Sequence, residues 1–195
     1  MPFWMQGEFL AQADARKYYQ LDPECFTLLV FGGSQGAEVI NKALAELKLE
    51  EPFQVIHLCG RNQDAEALIQ SYQKRGIKAA VKPFEDQMHI AWRAADLAIC
   101  RSGAGTLAEI ERFQVPAILI PWPGATDQHQ HKNAKVMEEI GGAILLDQKE
   151  IEKLPSKIRE AKQGLTAMQI CLKIYFEREV ENLDSIILNC LAGLK

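Results

Sequence analysis

From Phe26 onward the chain alternates short β-rich runs with longer stretches of helical period, and that alternation leaves few folds open. Strands lying parallel need a crossover of a dozen or more residues between them, and a helix is the usual one. The β-rich runs are Phe26–Phe31, Phe53–Leu58, Lys78–Val81, Leu97–Cys100, Ala117–Ile120 and Ala143–Leu146. Helical patterns fill the gaps at Ala37–Leu47, Asp64–Arg75, Met88–Ala95, Thr106–Phe113 and His129–Ile140. Leu28–Phe31 and Ala117–Ile120 are apolar throughout rather than alternating, as strands covered on both faces must be. The expectation is an α/β fold built on a Rossmann-like parallel sheet.

The ends read differently. Residues 1–24 form a leading segment with a short helix around Glu8–Tyr19, closed by the turn Leu21-Asp22-Pro23. After Asp147 no further strand is predicted: a helix over Lys149–Lys162 is expected to stop near Gly164, and Thr166–Leu191 to form one long helix. The expected division is thus a leading segment (1–24), a Rossmann-like domain (25–164) and a C-terminal helical tail (165–195). Hydrophobic residues make up 48% of the 195, enough for a core that needs no covalent staple. The five cysteines are scattered and form no C-x-x-C pair, which argues against a disulfide framework or zinc knuckle and fits a reducing, cytoplasmic setting. A net charge of −4 with signs interspersed excludes the broad cationic field of a nucleic-acid binder. The longest apolar run, Val115–Trp122, falls short of the roughly 18 residues a spanning helix requires. Met1–Leu10 contains Phe3, Trp4 and Met5 without a basic region or small-residue cleavage site, so it is not read as a signal peptide.

Chemistry concentrates in the turns that follow strands. Gly32-Gly33-Ser34-Gln35-Gly36 joins a strong strand to a strong helix, where backbone N–H groups and the positive end of the helix dipole attract anions and Ser34 adds a hydroxyl. The same residues also read as a plain βα turn with Ser34 as N-cap. A second turn, Cys100-Arg101-Ser102-Gly103-Ala104-Gly105-Thr106, repeats the arrangement, so a diphosphate has two helix N-termini to sit between. Glu109 then reads either as an acceptor for both ribose hydroxyls or as an acidic first-turn residue that complements the dipole. A third loop, Pro121–Ala134, is rich in neutral hydrogen-bonding groups suited to sugar hydroxyls, with Gln130 and Asn133 on one helix face. Asp127, His129 and His131 offer a metal reading, but histidines two apart point to different helix sides, and solvated surface is the competing account. Phe84 in Pro83-Phe84-Glu85-Asp86 suits either bracketing a planar base or ordinary core. No Ser/His/Asp or Cys/His set assembles from neighbouring loops, and no catalytic residue is assigned.

Taken in order, Gly32–Gly36, Cys100–Thr106 with Glu109, and Asp127-x-His129-Gln130-x-x-Asn133-Ala134 resemble the C-terminal half of the MurG family, over roughly Phe26 to Asp147. The resemblance implies the C-terminal half of a GT-B glycosyltransferase, the half that binds the UDP-GlcNAc donor in the inverting transfer that makes lipid II for peptidoglycan. It implies that Gly33, Ser34, Gln35 and Gly36 hold the diphosphate and that Phe84 and Glu85 lie at the uracil. It further implies that Ser102, Ala104, Gly105 and Thr106 line the phosphate and sugar, that Glu109 takes the ribose, and that Gln130 and Asn133 take GlcNAc hydroxyls. Gly105 departs from the leucine that many relatives carry, so no side-chain contact is expected from that position. The acceptor site and the proposed base belong to the family's N-terminal domain, which the matched region does not include. The expectations that follow are no cofactor or metal, a partner domain or subunit carrying a lipid-linked acceptor, and an isolated chain of little or no activity. The expected location is the cytoplasmic face of the membrane, in cell-wall synthesis and cell division. Two further readings stand beside this one: a subunit of a split GT-B transferase acting on a lipid-linked sugar, and a nucleotide-sugar-binding module without catalysis.

Overall fold

The computed structural model of the protein describes residues 10–125 and 128–192, with side chains through Arg178. The leading Phe3, Trp4 and Met5, the Thr126-Asp127 pair and the apolar side chains of the tail beyond Arg178 lie outside the described residues. A short helix, α1 (Gln12–Tyr18), precedes six strands: β1 (Thr27–Phe31), β2 (Gln54–Leu58), β3 (Ala79–Lys82), β4 (Leu97–Cys100), β5 (Ala117–Leu119) and β6 (Ala143–Leu145). The helices between them are α2 (Glu38–Glu46), α3 (Ala65–Lys74), α4 (Met88–Ala94), α5 (Ala104–Phe113) and α6 (His129–Ile140), followed by α7 (Leu154–Ala192). All strand pairs are parallel, in the order β3-β2-β1-β4-β5-β6.

Period-two alternation sorts the buried strand residues onto two faces. Leu29, Phe31, Ile56, Leu58, Ala98, Cys100 and Leu119 pack with α1, α4, α5 and α6 around Trp92. Leu28, Val30, Val55, Leu97, Ile99 and Ile118 pack with α2, α3 and α7 around Ile40, Leu44 and Tyr72. The result is a three-layer sandwich in which each strand is covered on both sides, as the unbroken apolar runs require.

The expected stop near Gly164 is not there, because α7 runs straight through it. Leu154, Ile158, Ala161, Leu165, Met168 and Leu172 follow the four-three spacing of one helix face and pack inward on either side of that glycine. A Cβ at Gly164 would meet nothing, so the residue costs helix propensity of about 1 kcal/mol without interrupting the stripe. The Lys149–Lys162 helix is likewise revised: a 3-10 turn over Gln148–Lys153 leads into α7. Most other boundaries move by a residue or two, and α5 begins at Ala104 rather than Thr106.

One buried polar cluster ties β2 to the helices over it. The His57 ring is fully buried, with Nδ1 2.9 Å from the Tyr72 hydroxyl and Nε2 3.0 Å from Asn41 Oδ1. Asn41 Nδ2 donates to the Cys59 carbonyl at 2.9 Å, so its Oδ1 accepts and the Nε2–H tautomer satisfies every group. Burial lowers the His57 pKa from 6.5 to about 3. The unfolded chain therefore takes up a proton near pH 6.5 that the folded one refuses, and stability falls as pH drops from 6.5 towards 3, by up to about 1.4 kcal/mol per pH unit. Urea unfolding at pH 7, 5.5 and 4.5 tests this: the wild type loses stability over that range, and His57→Gln, weaker at pH 7, shows a flatter profile.

Candidate functional site

The strand order reverses between β1 and β4, so the chain leaves their carboxyl ends in opposite directions and opens a crevice there. Two helices begin at this crevice. The first bond inside α2 is Asn41 N–H to the Ala37 carbonyl, and the first inside α5 is Leu107 N–H to the Gly103 carbonyl. Neither N-terminus is capped by a side chain, which leaves the first-turn N–H groups of both helices to an outside acceptor. Ser34 is exposed three residues before the α2 N-cap, and its hydroxyl makes no hydrogen bond among the described residues, so the N-capping account of Ser34 does not hold.

A cleft of about 650 Å³ lies between these helix ends, lined by Gly33, Gln35, Gly36, Arg101, Thr106, Gln130 and neighbouring residues. Arg101 spans its floor, donating through Nη1 to the Ile120 and Pro121 carbonyls at 2.9 and 3.1 Å and through Nη2 to Gln148 Oε1 at 2.7 Å. Burial lowers its pKa, yet a guanidinium starts high enough to stay charged, and these partners are neutral. The cleft thus adds a fixed positive charge to two helix dipoles. Beside it, Gly33, Ser34, Phe84, Glu85 and Glu109 line a cavity of about 180 Å³, which shares Phe84, Glu85, Met88 and Glu109 with an apolar one of about 470 Å³. Glu109 lies beyond the first turn of α5, so it is not there to complement the dipole. Burial raises its pKa, and the nearby Trp92 indole N–H draws it part of the way back, although that N–H meets no acceptor at full hydrogen-bond geometry.

The glycosyltransferase family 28 C-terminal domain model matches residues 27–174, the greater part of the chain and all six strands of the sheet. The protein belongs to this family. The chain is 48% identical over 149 residues to the UDP-N-acetylglucosamine--N-acetylmuramyl-(pentapeptide) pyrophosphoryl-undecaprenol N-acetylglucosamine transferase of Protochlamydia amoebophila (strain UWE25), a match covering 74% of this chain and 40% of that protein. It is 37% identical over 180 residues to the enzyme of that name from Aquifex aeolicus (strain VF5), covering 88% and 50%. The crystal structure of Acinetobacter baumannii MurG superposes with a TM-score of 0.71 at 29% identity, covering 91% of this chain and 54% of that one. The chain thus spans about half the length, or less, of these relatives, and its fold is that of the C-terminal half of a GT-B glycosyltransferase. At 17% identity and a TM-score of 0.58, the calicheamicin glycosyltransferase CalG4 shares the fold.

This family 28 domain brings most of the sequence-predicted residues to one edge, but several side chains are already engaged. Glu85 is buried, and its carboxylate accepts from Tyr19 Oη at 2.9 Å, Lys82 Nζ at 2.6 Å and the Gln87 N–H at 3.0 Å. Burial alone would raise its pKa, but these bonds outweigh it and hold the carboxyl below the usual range. That side chain anchors the loop. Phe84 is exposed, which sets aside the core reading. Ser102 is buried and donates to the Gln130 carbonyl at 2.8 Å, while Asn133 Nδ2 donates to the Ser102 carbonyl at 2.9 Å. Gln130 Oε1 accepts from the Trp122 N–H at 2.9 Å. These three hold α6 against the β4 turn, and of them Gln130 lines the cleft. Ala104 and Gly105 are exposed on the first turn of α5, where a Cβ on Gly105 would meet nothing. Among the described residues no three of His, Cys, Asp and Glu are grouped to hold a metal, and Asp127 lies outside them.

Sequence reasoning passed over Arg101 and Gln148. Arg101 stood inside a motif read for its glycines, and Gln148 meets the site only through the closure of β6 beside β5.

Gly36 and Gly60 lie back to back, both at positive φ, and a Cβ on Gly36 would overlap the Cys59 carbonyl. Gly33 also has positive φ, with open space around it. Gly36→Ala is expected to destabilise by on the order of 2 kcal/mol or more and Gly33→Ala by about 1 kcal/mol, measured by chemical denaturation.

Proposed function

We propose that the chain binds UDP-GlcNAc and serves as the donor half of an inverting N-acetylglucosaminyltransferase acting in lipid II synthesis. The observation that carries this reading is the pair of uncapped helix N-termini facing one crevice, with Glu109 farther along α5 and Phe84 beyond it. The spacing suits a nucleoside diphosphate laid from helix ends to ribose to base. The names of the relatives supply the sugar and the acceptor.

In the reaction, an acceptor hydroxyl oxygen bonds to the anomeric carbon as the bond to the β-phosphate oxygen breaks, and the hydroxyl proton passes to a base. The acceptor and the base belong to a partner domain or subunit. This chain's share is electrostatic: negative charge builds on the departing UDP, where preorganised N–H groups of α2 and α5 and the Arg101 guanidinium meet it without reorganising. Such a site needs no metal. A setting at the cytoplasmic face of the membrane follows from a lipid-linked acceptor. The second reading is a split transferase whose acceptor half is a separate chain, and co-purification of a second Rossmann-like chain would favour it.

Calorimetry with UDP-GlcNAc, UDP-GalNAc and UDP-glucose in excess EDTA tests the reading. Binding of UDP-GlcNAc with preference over the other two is expected, and loss of binding on removing metal would contradict the metal-free site. Glu109→Ala is expected to lose about 1.5–3 kcal/mol of UDP affinity, the range for hydrogen bonds to a charged group. Because burial raises the Glu109 pKa, UDP affinity should begin to fall, as pH is lowered, before the 4.5 of an ordinary glutamate is reached. Glu109→Gln should flatten that profile.

A further inference from the structure

A cation beside the β1–α2 turn remains unassigned. Arg61 follows Gly60 in the β2–α3 loop, and its main-chain N–H donates to the Ser34 carbonyl at 3.2 Å. The next residue, Asn62, donates through Nδ2 to Gln35 Oε1 at 3.0 Å. With Gly36 and Gly60 in backbone contact beneath them, the loop that carries Arg61 is fixed to the phosphate turn. The guanidinium lies over the Phe84 ring, 4.3 Å from its centroid, and among the described residues it has no carboxylate or hydrogen-bond partner.

Sheet order explains the placement. β3, β2 and β1 are consecutive, and the turns at their carboxyl ends deliver Phe84, Arg61 and Ser34 in that sequence. Arg61 therefore stands between Phe84 and Ser34, both of which line the cavity of about 180 Å³. Stacking on a ring occupies the face of a guanidinium and leaves its N–H donors pointing outward in the plane, still arranged as a fork for phosphate oxygens.

We propose that Arg61 binds the donor nucleotide through its diphosphate, using the Phe84 ring as the platform that holds the guanidinium in place. This rests on the UDP-sugar reading above and adds to it a phosphate contact from a third loop. It also separates two roles for the loop, charge on the phosphate and support for the ring.

Binding of UDP and of uridine to the full chain, compared among wild type, Arg61→Ala and Arg61→Lys, tests the assignment. UDP affinity should fall on the order of tenfold in Arg61→Ala, with part of the loss recovered in Arg61→Lys, while uridine affinity stays at the wild-type level. Arg61 is exposed, so thermal unfolding of the variants should match the wild type. An unchanged UDP affinity in Arg61→Ala, with wild type binding normally, would overturn the assignment alone. An equal loss for uridine would overturn it too, by placing the effect on the ring. Wild-type protein that bound no UDP would remove the donor reading and this contact with it.

Discussion

Every strand in this sheet ends on the same edge, and between β1 and β4 the chain departs in opposite directions. No connection can cover that gap, and the two helices flanking it must start there with their N–H groups unspent. The crevice is thus a by-product of parallel topology before any side chain is chosen. What the sequence adds is restraint: small residues at Gly32, Gly36 and Gly60 let two turns close up, and neither helix carries a capping side chain that would fill the site.

The buried polar groups follow the same economy. Asn41, His57 and Tyr72 satisfy one another under β2, and Asn41 also holds the Cys59 carbonyl against which Gly36 rests. Ser102, Gln130 and Asn133 do the same for the β4 turn and α6. Two of the three loops that frame the crevice are therefore braced from beneath by hydrogen bonds whose loss would leave buried groups unpaired. Such bracing fixes the backbone N–H groups at the crevice before any ligand arrives.

Much of this was legible in the residues. Period two and period 3.6 found all six strands and the helices between them, because burial on both faces leaves an unmistakable apolar run. The crevice was legible too, since a glycine-rich turn after a strand has few uses. What escaped was tertiary. Nothing near Gly164 says that the apolar stripe resumes in phase beyond it, and phase is what kept α7 whole. Glu85 looked available because its partners Tyr19 and Lys82 arrive from α1 and the end of β3. Gln130 and Asn133 read as sugar-facing amides, and the support they also give to a turn some thirty residues away in sequence left no mark there.

The link from Tyr19 to Glu85 bears on where this domain can be cut. Residues 1–24 read as a leader standing outside the Rossmann-like unit, yet Arg16 holds the Ala94 and Pro23 carbonyls and Asp96, and Tyr19 fastens the residue next to Phe84. A fragment trimmed to residue 25 would keep the sequence of every strand and every glycine turn while losing Ala15, Tyr19 and Leu21 from the core and the hydroxyl that holds Glu85. The helix α1 therefore belongs to the folding unit, and the loop that carries Phe84 depends on it.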